Sequence, residues 1–124
     1  MDVAEIAAEH GLIRIADKAL AAVVREACLE VPGVAAMDSR FGHALSSRIA
    51  GEDAEGVHIS IHDNKVSAAL YLLVYHGPRA PEVALHVQER VKEALASSAG
   101  LGIETVDVFV QGIVFGEEGR FAHD

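Results

Sequence analysis

Two histidines, His58 and His62, sit four residues apart in the stretch VHISIHDNKV from Val57 to Val66, with Asp63 beside the second. Imidazole and carboxylate are common zinc ligands and common proton carriers, so this is the most direct chemical suggestion in the chain. Its geometry decides against a metal. Both flanks are rich in β-formers, and Asp63-Asn64 tolerates the backbone of a tight two-residue turn, which predicts a hairpin of strands 57–62 and 65–75. In that hairpin His62 lies opposite Lys65, Ser60 opposite Ser67, and His58 opposite Ala69. The imidazoles share a face, but four residues of strand hold them roughly 13 Å apart, whereas zinc needs its nitrogens about 2 Å away. Neither cross-strand neighbour adds a ligand, and Lys65 disfavours a cation. The histidines are expected on the polar outer face of the hairpin.

The remaining chemical candidates are thinner. Glu82, His86 and Glu89 fall at helical spacing and could hold an ion only if another element completed the shell. No second ligand-bearing helix stands out, and Glu89, Arg90, Lys92 and Glu93 read as a charge-balanced solvated face. The single cysteine, Cys28, shares helical spacing with Val24 and Val31, which predicts a buried, inert thiol. GEDAEG at 51–56 has Walker spacing but continues Val57-His58, without the lysine and hydroxyl that phosphate binding needs. GEEG at 116–119 has the spacing of an RNA clamp, yet its acidic centre repels a backbone of phosphates. Neither GxSxG nor HExxH occurs.

A chain of 124 residues, 51% hydrophobic and 23% charged, suits one compact domain with a real core. Nineteen acidic residues against ten basic ones give a formal net charge of -9, so the average surface repels nucleic acid and anionic lipid. The aromatic fraction of 5% leaves few platforms for stacking bases. One cysteine forms no internal disulfide, and no export leader or long apolar run is evident; the expectation is a cytoplasmic chain without direct membrane insertion.

Along the chain, residues 1–11 read as a polar, loosely docked arm, with Val3, Ile6 and Ala7 at helical spacing. Leu12 to Ala16 reads as a short strand. Asp17 is placed as N-cap of a helix whose Leu20, Val24, Ala27 and Val31 form one face, ended by Pro32 and Gly33. Phe41, Leu45 and Ile49 predict a short helix before the hairpin, which either plugs one end of the core or serves as a contact surface. After the hairpin, Pro81 opens a second long helix carrying Val83, Val87, Val91 and Leu95, broken at Gly100. Val106, Val108 and Val110 alternate in a last strand, and 116–124 is a polar tail. This is an α+β order, a split β-α-β-β-α-β domain over 12–115 with both main helices on one face of a mainly antiparallel sheet.

Three ordered motifs carry a family resemblance. GLIRIADKALAAVVREACLEVPGVAAM (11–37) resembles the opening of the alkaline shock protein family, bacterial envelope stress response proteins with a short I-x-IA strand, a helix and EVPGV. VSAALYLLVYHGPRAPEVALHVQERVKEAL resembles the family's strand and VQ-x-x-VKEAL helix, and GLGIETVDVFVQGIVF its closing VQGV-x-F strand. The resemblance covers about nine tenths of the chain. It implies a non-enzymatic cytoplasmic protein of envelope homeostasis, working through protein partners and held at the membrane in some members by a separate membrane-inserted one. It supplies no catalytic residue and no cofactor. The loop GEDAEG departs from the basic or mixed stretch common there, which favours an indirect tether over headgroup contact.

Interaction residues are therefore sought on loops and turns: Arg40, Phe41, Leu45 and Arg48 before the hairpin, and Tyr75, His76 and Arg79 in the turn into the second helix. An open sheet edge further invites self-association. Two other readings stand beside the envelope scaffold: a regulatory adaptor of a metabolic enzyme such as one supplying lipid precursors, and a KH-like RNA-binding module suggested by topology alone.

Overall fold

The computed structural model describes residues 3–38 and 56–115. In chain order these form β1 (Val3–Ala8), β2 (Gly11–Ala16), α1 (Asp17–Glu30), β3 (Val34–Met37), β4 (Val57–His62), β5 (Lys65–Tyr75), α2 (Ala80–Ala99) and β6 (Gly102–Val114). The expected helix around Phe41 to Ile49 and the tail 116–124 lie outside the described residues.

The hairpin forms as its sequence dictates. Asp63 and Asn64 both take positive φ, 52° and 59°, the conformation that two-residue turns require and that Asn and Asp tolerate best. The register pairs His62 with Lys65, Ser60 with Ser67 and His58 with Ala69. β5 is the hub of the larger sheet, with antiparallel β4 and β3 and parallel β6 as its neighbours. β4 covers Lys65–Leu70 and β3 covers Leu72–Val74, so the two short strands share one edge of β5 while β6 runs along the other. The handover occurs at Tyr71: its N–H donates to Gly56 O at 2.9 Å, and its carbonyl accepts from Asp38 N–H at 2.7 Å. Gly56 has φ +85°, and a Cβ there would stand 2.8 Å from Tyr71 O, so only glycine fits this pinch.

Alternation sorts β5 cleanly. Val66, Ala68, Leu70, Leu72 and Val74 are buried beneath the helices, while the odd-numbered residues face the other side. Leu20, Val24, Val87, Val91 and Leu95 from the two helices close the core with no more than 1% exposure. Removing such surface from water supplies about 25 cal/mol per Å². Arg90 spans the two helices at the surface, donating to Glu30 Oε1 at 2.7 and 3.0 Å. α2 stops where Gly100 takes φ 69°, donates to Ala96 O, and lets Leu101 reach back to Leu95 O. At the end of α1, Gly33 has φ +101° and lies so close to α2 that an added Cβ would meet Val83 at 2.7 Å.

The structure corrects four expectations. The N-terminal residues are not helically spaced: Val3–Ala8 is a strand, antiparallel to β2 from Val3↔Ala16 to Ala8↔Gly11, with Ala4 fully buried. Asn64 explains the docking, because its side chain accepts from Glu5 N–H at 3.0 Å and donates to Glu5 O at 2.6 Å, standing in for a strand neighbour. β2 in turn belongs to a separate two-stranded sheet with β1, and the larger sheet takes its fourth strand from Val34–Met37 instead. Asp17 is the first helical residue, with Ala16 in the N-cap position. Two helices on one side of a mainly antiparallel sheet remain the architecture.

Candidate interaction surface

Among the described residues both helices lie on one face of the larger sheet, and no helix covers the opposite face. Its residues follow from the register: His58, Ser60 and His62 on β4; Lys65, Ser67, Ala69, Tyr71, Leu73 and Tyr75 on β5; and Thr105, Asp107, Phe109, Gly112 and Val114 beside them on β6. Chemically this face has two ends. The end near the Asp63-Asn64 turn is polar, with His62, Lys65, Ser67 and Asp107. The other end is apolar and aromatic. There Tyr71 and Phe109, paired across β5 and β6, stack with centroids 5.0 Å apart and planes 15° from parallel. Leu73 lies over Gly112, where an added Cβ would stand 3.1 Å from Leu73 Cδ2. Just past the strands, the His76 and Phe115 rings meet at 4.6 Å. Phe109 is 44% exposed and Phe115 69%, so this end presents ring surface to whatever lies outside it.

Of the residues singled out from the sequence, Tyr75 and His76 lie apart from Arg79. Arg40, Phe41, Leu45 and Arg48 lie outside the described residues. Tyr75 ends β5 on the helix-free face and His76 sits against Phe115, so these two join the aromatic end. Arg79 is the N-cap residue of α2, and the chain has by then turned onto the helical side. There it lines a shallow cavity of about 320 Å³ with Pro32, Gly33, Pro78, Glu82, Val83 and His86. Sequence reasoning missed Tyr71, Leu73 and Phe109. The alternation of LYLLVY and VDVFV carried the signal: positions opposite the buried residues of a half-buried strand are ordinarily polar, and here all but Asp107 are aromatic or aliphatic.

His58 and His62 occupy separate positions on β4 as the strand spacing requires, and exposed Asp63 lies 3.9 Å from His62. Among the described residues no group of three or more His, Cys, Asp or Glu side chains is placed to hold a metal ion. Cys28 is fully buried, and burial pushes its thiol pKa up from 9.0 to about 12. No described helix is long and apolar enough to cross a membrane.

Known proteins resemble this chain over most of its length. The uncharacterized protein Spy1614 of Streptococcus pyogenes serotype M6 (strain ATCC BAA-946 / MGAS10394) is 35% identical over 91% of this chain and 97% of its own. The uncharacterized protein YloU of Bacillus subtilis (strain 168) is 27% identical over 88% and 93%. Among solved structures, a MamM CTD carrying M250L is similar at TM-score 0.49 and 18% identity, covering 77% of this chain and 96% of that one. The sequence model of the alkaline shock protein family, described by a cell envelope-related function, matches residues 5–115, and the chain belongs to that family.

Proposed function

We propose that this protein is a non-enzymatic scaffold of the cell envelope stress response, acting through protein–protein contacts and recruited to the inner face of the membrane by a membrane-inserted partner. The observation that carries this reading is the aromatic end of the helix-free sheet face, where Tyr71, Leu73, Tyr75 and Phe109 stand in place of polar residues. A helix-free face in contact only with water is ordinarily polar. Aromatic side chains are also the anchors that supply most binding energy at interfaces, because they bury large area at little cost in side-chain entropy. Family membership supplies the cellular setting, a cell envelope-related function. A formal net charge of -9 disfavours direct adsorption to anionic lipid and favours an indirect tether.

The test is affinity purification of the tagged full chain from its native host with the membrane fraction retained, beside a Phe109→Glu variant. Recovery of an integral membrane protein by the wild type, lost with the variant, is the expected result. Recovery of a soluble metabolic enzyme instead would overturn recruitment and support the adaptor reading. Wild type and variant retaining the same partner equally would remove the sheet face from the account.

A further inference from the structure

The outer edge of β6 has an orientation that the hydrogen bonds fix residue by residue. Tyr71 and Tyr75 send their amides to Gly56 O and Gly33 O on the antiparallel side, while His76 N–H donates to Val114 O on the other. Odd-numbered β5 residues therefore face β3 and β4, and even-numbered ones face β6. In a parallel pair, each residue bonds to the two residues flanking its register partner. The β6 residues in register with odd β5 positions, Asp107, Phe109, Gly112 and Val114, thus turn their peptide groups toward β5. Val106, Val108, Val110 and Ile113 turn theirs outward. The register shift between Leu72 and Leu73 places the bulge at Gln111, which switches outward positions from even to odd. Among the described residues no strand pairs with that outer edge.

The two halves of the edge differ. The N-terminal half carries Glu104 and Asp107, and Gln88 reaches over from α2 to donate to Val106 O at 2.9 Å. Charge and cover of that kind discourage strand addition. The C-terminal half, VFVQGIVF from Val108 to Phe115, has neither a charge nor a proline. It also holds three of the exposed large hydrophobics, Phe109, Ile113 and Phe115 at 44%, 52% and 69%.

We propose that a second copy of this chain adds antiparallel to this half of β6, with a two-fold axis between Gln111 and Gly112. That axis sets Val108 opposite Phe115, Phe109 opposite Val114 and Val110 opposite Ile113. The register meets two independent conditions. Val110 and Ile113 both turn their peptide groups outward, as a hydrogen-bonded antiparallel pair must. Each pair also lies on one face of the sheet: Val110 and Ile113 are aligned with buried Leu72 and Val74, Phe109 and Val114 with outward Tyr71 and Tyr75. It is the bulge that makes the edge self-complementary about this point. Like charges stay apart, since Asp107 falls just outside the paired segment, whereas a parallel in-register pairing would set Asp107 on Asp107. The new pairs cover all three exposed apolar side chains, and two four-stranded sheets, each with its Tyr71–Phe109 stack, become one continuous sheet.

The proposal rests on the scaffold reading and names one of its contacts. The test is sedimentation velocity on the full chain over a concentration series, with Ile113→Lys and Val110→Pro variants. Proline at an outward-facing edge position removes only a donor that β5 does not use. The wild type is expected to form a dimer, and both variants to sediment as monomers with unchanged circular dichroism. A Val110→Cys/Ile113→Cys double variant in a Cys28→Ala background is expected to oxidise to a covalent dimer, because a hydrogen-bonded pair sets Cα atoms about 5.5 Å apart, within disulfide reach. Asp107→Cys alone is expected not to. A wild type that stays monomeric at every concentration, folded variants that still dimerise, or cross-linking only through position 107 would each overturn the proposal. If the chain is monomeric yet still recovers its membrane partner, this inference falls alone; if it dimerises and recovers none, recruitment falls alone.

Discussion

Tyr71 and Phe109 lie flat against one another on the helix-free face, 5.0 Å between centroids, one on the central strand and the other on the strand beside it. An offset pair of this kind contributes about 0.5–1.5 kcal/mol beyond its buried area. Phe109→Ala is therefore expected to lower stability in urea by about 2 kcal/mol, the stack together with the half of the ring that is buried, while losing most of the partner recovered in affinity purification. A variant that keeps the partner fully would show that the ring is there for the sheet alone.

Asn64 is predicted to hold the small sheet to the large one. Asn64→Gly keeps the positive φ of 59° accessible but removes both bonds to Glu5; at about 1 kcal/mol each, amide exchange in β1 should accelerate by roughly tenfold or more. Asn64→Ala should add about 1 kcal/mol of backbone strain in the turn itself and accelerate exchange at Lys65 as well. Hydrogen exchange followed residue by residue separates the two effects, and β1 protection unchanged from the wild type in both variants would contradict the docking role.

The core is predicted to be intolerant of charge. Val24 and Val87 are 0% exposed, and both belong to the apolar core cluster. Val24→Asp or Val87→Asp should cost at least about 4 kcal/mol, enough to empty the native state of a domain of ordinary stability. Leu95→Ala, which leaves a cavity but no charge, should cost about 2–5 kcal/mol. Chemical denaturation measures all three.

Cys28 gives stability a pH dependence with a definite sign. Burial raises its pKa from 9.0 to about 12, so above pH 9 the unfolded chain loses a proton that the folded chain keeps. The contribution is complete below pH 9 and is lost as pH climbs toward 12, at up to about 1.4 kcal/mol per pH unit. Cys28→Ala should flatten that part of the curve. At pH 8 the native thiol should resist a thiol reagent until the protein unfolds, and labelling in seconds would refute its burial.

Much of this was legible in the sequence, and the failures have physical causes. The hairpin and both long helices announce themselves through turn chemistry and apolar spacing, signals local enough to survive without tertiary context. Val34–Met37 does not: VAAM has too little β character to stand alone, and it is a strand because β4 leaves the far end of β5 uncovered. Val3–Ala8 is alanine-rich and reads as well for helix as for strand; its pairing is decided by Asn64, 59 residues away from Glu5. The parallel β5–β6 pair follows from the intervening helix. At the candidate surface, Tyr75 and Arg79 look like one turn in sequence, yet four residues carry the chain from the sheet layer to the helix layer. The aromatic end was hidden because residues from β5 and β6 share it, which only register reveals.

Asp38 and Gly56 grip the same residue, one at the carbonyl and one at the amide of Tyr71, so β3 and β4 are held beside a single clasp. Because that residue's amide and carbonyl both point to one edge of β5, the two short strands meet there without competing for a bond. A one-residue slip of β5 would turn both groups away at once, so Tyr71 keeps β3 and β4 in step with each other.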